Sequence, residues 1–278
     1  IHHRSEPGDG IVLHLPAYHP FLDSISEAER RLVPVMPGDG HHFDYEALER
    51  RLDADGARVW ILCHPHNPLG HVFGRDELER IAGIAERHDL TVISDEIHAD
   101  LTMPGHVHVP FASLGDAVSA RTVTVTSTSK AFNLAGLRWA VLHAGCDRTQ
   151  AALTALPGHY LGAPNLMAVT AAVAAWTDGG PWLDAVVDLL DENRRALADL
   201  LAEHLPGARY RPPDATYLGW VDCRDLDLGD QPHLAFRARG VELSPGAQFG
   251  PPGAGHVRIN FATSPDILAA TVAARASR

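Results

Sequence analysis

Short apolar runs alternate along the chain with longer segments whose apolar residues recur three or four positions apart. GIVLHLP (10–16), RLVPVMP (31–37), RVWILCHP (58–65), LTVISDE (90–96), RTVTVTS (121–127) and WAVLHAG (139–145) are brief, largely β-branched and often bounded by Gly, Pro or Asp, which predicts strands. Between them FLDSISEAERRL (21–32), DYEALERRL (44–52) and RDELERIAGIAERH (75–88) carry the helical period. Strands alternating with helices in this way predict an α/β fold with a largely parallel sheet covered by helices on both faces.

The texture changes after Gly179-Gly180. Residues 181–205 read as one long amphipathic helix, with Trp182, Val186, Leu189, Leu190, Leu197, Leu200, Leu201 and Leu205 on one stripe and Pro181 in its first turn. Strands at ARYRP (208–212), TYLGWVD (216–222) and HVRINFA (256–262), with helices near 232–239 and 265–276, complete a smaller α/β unit. The expected organisation is a large domain over residues 1–178 and a small one over 179–278 that includes the long helix. A length of 278 residues accommodates both.

Composition narrows the partners. A formal net charge of −12 argues against nucleic acid and anionic membranes, although local arginines could still hold one phosphate group. Cys63, Cys146 and Cys223 are few and scattered, without a disulfide framework or a C-x-x-C site, so a reducing cytoplasm is the expected compartment. The longest apolar run, LMAVTAAVAAW (166–176), is too short to span a bilayer.

One residue changes the picture. Lys+Arg number 23, and Lys130 is the single lysine among them. Arginine supplies charge and hydrogen bonds, but its guanidinium stays protonated and cannot act as an amine nucleophile. Either Lys130 is needed for amine chemistry or coding bias has removed every other lysine; the count alone leaves both open. Lys130 ends the segment TSTSK just past a predicted strand, and two other strand exits, HPHNPLG (64–70) and SDEIHADL (94–101), are also rich in polar groups. Open α/β sheets gather functional groups at such exits. Each also has a plain structural explanation: Asn67 to Gly70 as a turn, Asp95 as a helix cap, Ser127 and Ser129 as loop hydroxyls.

Other signals lead nowhere. The 18 histidines include His64-x-His66 and His106-x-His108, but no Cys, Asp or Glu set completes a tetrahedral metal site at recognisable spacing. Gly250-Pro-Pro-Gly-Ala-Gly255 resembles a phosphate loop only in glycine content, and no G-x-S-x-G nucleophile elbow is present.

Taken in order, PAYHPF (16–21), HPHNPLG, VISDEIHADL (92–101), TSTSKAFNLAGLR (126–138), TYLGWVD and HVRINFA span nearly the whole chain. With this set the sequence resembles the fold-type-I pyridoxal-5′-phosphate (PLP) enzymes of the aminotransferase class I and II superfamily. Within that group it is most similar to the MalY/PatB branch of cystathionine β-lyases, or C–S lyases. The resemblance implies the aspartate-aminotransferase-like fold, a homodimer and a small amino-acid substrate. It implies that Lys130 holds PLP and later abstracts the substrate Cα proton, and that Asp95 pairs with the pyridine nitrogen. Asn67 and His98 would lie near the phenolic oxygen and Tyr18 would stack on the ring. Ser127, Ser129 and Arg138 would surround the phosphate, and Arg258 would grip the substrate carboxylate. The implied reaction is cleavage of a cysteine-S-conjugate to pyruvate, ammonia and a thiol; an aminotransferase and an inactive or regulatory PLP-binding protein are the alternatives.

The start IHHRSEPGDGIVLHLP enters a strand almost at once. In the resembled family a dimer-packing arm and a glycine-bearing phosphate turn precede that strand. The expectation is therefore that these 278 residues alone bind PLP weakly and tend to associate.

Overall fold

The computed structural model describes residues 1–38, 43–160 and 162–274. Six strands form the first sheet: β1 (Gly10–His14), β2 (Arg31–Val35), β3 (Ala57–Cys63), β4 (Thr91–Asp95), β5 (Thr122–Thr126) and β6 (Val141–Ala144). Their order is β2-β1-β3-β4-β5-β6, parallel throughout except for β6, which runs antiparallel to β5. These are the six runs expected from the apolar pattern.

A strand covered on both faces must be apolar on both, so period-two alternation disappears and a continuous run remains. Every residue of β1 is buried accordingly. One face of the sheet packs under α2 (Tyr45–Glu49) and α3 (Arg75–Arg87), with Leu78, Ile81 and Ile84 joining Val12, Val33, Trp60 and Leu62 in one core. The opposite face carries α1 (His19–Glu27), whose Ile25 joins Ile11, Leu13, Val59 and Ile61. Asp76 and Glu77 in the first turn of α3 and Arg87 in its last turn complement the helix dipole.

The chain continues through α4 (Asp116–Ser119), α5 (Asp147–Thr154) and α6 (Leu166–Asp178) to the long helix α7 (Gly180–His204). A second, antiparallel sheet follows, in the order β7-β8-β10-β9: β7 (Arg209–Tyr210), β8 (Leu218–Asp222), β9 (Ser244–Pro245) and β10 (His256–Asn260). Helices α8 (Pro232–Arg237) and α9 (Pro265–Ala273) pack against it. Among the described residues, no helix is long and apolar enough to cross a membrane.

The stripe expected along α7 is covered only in part. Leu190, Leu197 and Leu201 are buried, as is Leu205 just beyond the helix, but Trp182 is 47% exposed and Leu189 38%. Polar contacts settle which side of the helix faces inward. Asn193 donates through Nδ2 to the carbonyls of Phe261 (2.9 Å) and Thr263 (2.8 Å), tying α7 to the end of β10. In the N-terminal turns Leu183 and Val186 pack against the core only partly buried, and Trp182 stacks on Phe132 with ring centres 5.6 Å apart.

The two sheets are joined closely at Gly70. Its carbonyl accepts from the backbone N–H groups of Asp214 (2.9 Å) and Ala215 (3.0 Å). Its φ of +63° and the closeness of Pro213, 2.1 Å from where a Cβ would stand, leave room for glycine alone. His71, next in the chain, lies between Glu77 of α3 (2.9 Å) and Asp214 (3.6 Å). Burial opposes its charge, but the two carboxylates outweigh burial and push its pKa up to about 9.

Candidate active site

Strand order 2-1-3-4-5 reverses direction between β1 and β3, and the carboxyl ends around such a switch point form a natural crevice. Four of these strands deliver a polar or aromatic side chain there. Tyr18 lies four residues past the end of β1, Asn67 four past β3, and Lys130 four past β5, while Asp95 is the last residue of β4. Together with Cys63, Ile97, His98, Tyr217, Leu218, Ser244, Arg258 and Asn260 they line a cavity of about 470 Å³ between the two sheets. Six of the nine residues expected at the site thus meet in one place: Tyr18, Asn67, Asp95, His98, Lys130 and Arg258.

The electrostatics there are unbalanced. Burial raises the Asp95 pKa to about 6, and the neighbouring Glu96 adds to this; the N–H of Ile97 (3.2 Å) and the Lys130 charge pull the other way. Burial lowers His98 to about 3, reinforced by the cations Lys130 and Arg258, so its imidazole is neutral. Among the described residues the His98 Nδ1 has no hydrogen-bond partner, although His98 is 3% exposed. Arg258 donates from Nη1 to Asn67 Oδ1 (2.9 Å) and from Nη2 to Ser244 Oγ (3.2 Å), and lies 4.8 Å above the Phe249 ring. Arg194, Arg209, Arg211 and Arg224 are each paired with an aspartate. Among the described residues, the hydrogen-bond and ring partners of Arg258 are instead neutral: Asn67, Ser244 and Phe249.

Ser127, Ser129 and Arg138 are not among the residues lining the cavity. Ser127 Oγ accepts from the Ser129 N–H (3.0 Å) and donates to the Trp139 carbonyl (2.6 Å), and the two hydroxyls lie 2.7 Å apart. These bonds close the turn that presents Lys130. Arg138 is exposed, with a left-handed backbone of φ 52°.

Sequence reasoning missed Cys63, Ile97, Tyr217, Leu218, Ser244 and Asn260. Tyr217 and Leu218 belong to TYLGWVD and Asn260 to HVRINFA, so the motifs were seen but their inward-facing positions were not. Ser244 gave no signal, because β9 is only two residues long. The histidine pair has a structural use. His64 lies 4.4 Å from the His108 ring and contacts the Val109 carbonyl at 3.1 Å, while buried His66 packs near His14 and Phe73. Burial lowers both His64 and His66 to about 3. Among the described residues no group of three or more His, Cys, Asp or Glu side chains could hold a metal ion.

A family model described as aminotransferase class I and II matches residues 3–275. The chain belongs to this family. It is 37% identical to the cystathionine beta-lyase PatB of Bacillus subtilis over 267 residues, covering 94% of this chain and 69% of PatB. Protein MalY of Escherichia coli is 36% identical over 268 residues, covering 94% of this chain and 68% of MalY. Among solved structures, cystalysin from Treponema denticola, which contains a pyridoxal 5′-phosphate cofactor, superposes with a TM-score of 0.91 at 29% identity, covering 98% of this chain and 71% of cystalysin. The architecture is therefore the α/β fold of PLP-dependent family members, with a mostly parallel central sheet.

The cavity fits such a cofactor at its ring. Among the described residues the buried Asp95 carboxyl has no cation bonded to it, which suits a ring N–H, and the His98 Nδ1, without a partner there, and the amide of Asn67 are polar groups lining the same cavity. A volume near 470 Å³ leaves room for a ring and a small amino acid.

Proposed function

We propose that this chain is a pyridoxal-phosphate-dependent C–S β-lyase acting on cystathionine or a related cysteine-S-conjugate. The observation that carries the reading is the meeting of Lys130, Asp95 and Arg258 in one cavity. The relationship to PatB and MalY supports the choice of chemistry.

In this reading Lys130 would hold the cofactor covalently, Asp95 would keep its ring nitrogen protonated, and Tyr18, Asn67 and His98 would hold the ring. Ser127, Ser129 and Arg138 would belong to the phosphate end, and the serines order the turn before Lys130. The bound cofactor supplies the electron sink for breaking the Cα–H bond. Arg258 would fix the substrate carboxylate and so orient that bond toward Lys130, whose amine, set free once the substrate's own amine has taken its place, would take the proton. The β-carbon–sulfur bond then breaks with its electrons leaving on sulfur. Overall, cystathionine and water give homocysteine, pyruvate and ammonia.

The aspartate carboxylate can hold the proton only while ionised, and burial disfavours that form until a cation is beside it. His98, being neutral, adds no further positive charge to those of Lys130 and Arg258. With Arg258 holding the Asn67 Oδ1, the Nδ2 amino group of Asn67 is left to donate.

An aminotransferase shares the early steps, and the description of the family model favours it as the second reading. Product analysis separates the two. L-Cystathionine should yield pyruvate, ammonia and homocysteine continuously with no keto acid added; turnover that halts after one equivalent until a keto acid is supplied would overturn the lyase reading. Arg258→Ala should raise KM about thirtyfold or more with a smaller effect on kcat, because a charge-assisted carboxylate contact acts in ground and transition states alike. Steady-state kinetics with the same substrate check this, and an unchanged KM would remove Arg258 from the site.

A homodimer belongs to the same proposal. The exposed Val141 and Leu142 of β6 and the exposed Leu166, Met167, Val173 and Trp176 of α6 support it, since a partner would cover them. The division at 178/179 is supported by the two separate sheets, and a cytoplasmic setting by three free, buried cysteines.

A further inference from the structure

Arg258 occupies the middle of β10, opposite Trp220 of β8 on one side and Ser244 of β9 on the other. Those strand pairings fix where its side chain begins, and Phe249 decides where it ends. Phe249 is 1% exposed, and its ring lies beneath the guanidinium, with 4.8 Å between Cζ and the ring centre. Trp220 braces that ring edge-on at 5.3 Å and is itself stacked on His256 at 5.1 Å. The Phe249 carbonyl also accepts from the Ala17 N–H (2.8 Å), next to Tyr18. One residue thus touches the arginine through its ring and the opposite wall of the cavity through its backbone.

A guanidinium is planar, and it recognises a carboxylate through two N–H groups in that plane. Stacking on an aromatic face fixes the plane without using up an N–H, and the attraction is strongest where water is excluded. Asn67 and Ser244 each take one further bond, and none of these neutral partners competes with an incoming carboxylate for the charge.

We infer that Phe249 is a positioning residue for substrate recognition, its ring, braced by Trp220, setting the plane in which Arg258 meets the substrate carboxylate. The inference rests on the reading of Arg258 given above and goes beyond it.

The test uses PLP-loaded protein and two unreactive probes, 3-(methylthio)propanoate and its amide, titrated by calorimetry, with steady-state kinetics on S-methyl-L-cysteine. Phe249→Leu removes the aromatic face but keeps apolar bulk; Phe249→Tyr keeps the face. The Leu variant should bind the carboxylate probe about tenfold more weakly and show a matching rise in KM, with kcat within about twofold and amide binding unchanged. The Tyr variant should bind the carboxylate probe as the wild type does. Equal weakening of carboxylate and amide in the Leu variant would mean a merely structural role and would overturn the inference, as would wild-type carboxylate binding. If Phe249→Leu does not fold, Trp220→Leu decides, with a selective loss of about threefold supporting the inference and a non-selective or absent loss overturning it. A wild type that does not prefer the carboxylate over the amide would remove the Arg258 reading, and the inference with it.

Discussion

Lys130→Arg is expected to lose turnover by at least about a thousandfold while leaving the positive charge in place. The substitution isolates amine chemistry from electrostatics. Arginine keeps a cation near Asp95 and His98, the two groups whose ionisation responds to the Lys130 charge. It cannot shed a proton to become a nucleophile or a base at neutral pH. No second lysine exists in the chain to substitute for it. Three measurements follow the same protein: the visible band of the bound cofactor, mass spectrometry after borohydride, and pyruvate release. Wild type should show the band and carry the cofactor on the peptide containing residue 130 after reduction; the variant should show neither, and no pyruvate. A fully active Lys130→Arg protein would return the lone lysine to coding bias.

Asp95→Asn should separate stability from activity in opposite directions. In the cofactor-free protein burial raises the Asp95 pKa to about 6, above the roughly 3.9 of an unfolded aspartate. The folded state therefore binds the proton more tightly, and the stability gained from the neutral carboxyl is fully present below about pH 4. It is lost as pH rises through about 6, leaving a penalty on the order of 1–3 kcal/mol at neutral pH. Asparagine has nearly the same shape, carries no charge and keeps an oxygen for the Ile97 N–H. The variant should therefore melt several degrees higher than the cofactor-free wild type at pH 7.5 and lose that advantage near pH 4. Turnover of the PLP-loaded variant should fall about a thousandfold, since an amide cannot hold the ring nitrogen protonated. Thermal melts at several pH values and a pyruvate assay test both halves. A variant as active as wild type would remove Asp95 from the ring nitrogen.

Much of the site was legible because its residues sit where strands end. Tyr18, Asn67, Asp95 and Lys130 each lie within four residues of the end of a strand whose apolar run is plain in the sequence. His98 and Arg258 were recognisable within motifs, one in VISDEIHADL and the other in HVRINFA. Ser244 was not, since two residues of strand carry no periodicity, and its contact with Arg258 depends on pairing with a strand 14 positions away. The α7 stripe failed at Trp182 and Leu189 for a related reason: amphipathicity reports which face of a helix is apolar, but not how far along the helix a partner surface extends.

The sequence by itself determined the strands, the long helix, the large parallel sheet with its helical cover, and the isolation of Lys130, because each is written in local periodicity or in residue type. Only the tertiary structure decided that Arg258 bonds to the neutral Asn67 and Ser244, that Phe249 lies beneath it, and that Ser127 and Ser129 bond to Trp139 around the turn before Lys130. Gly70 belongs to the same class, its need for glycine arising from Pro213 far along the chain. These are distances between segments remote in sequence, and they are set by how two sheets pack, which no local pattern records.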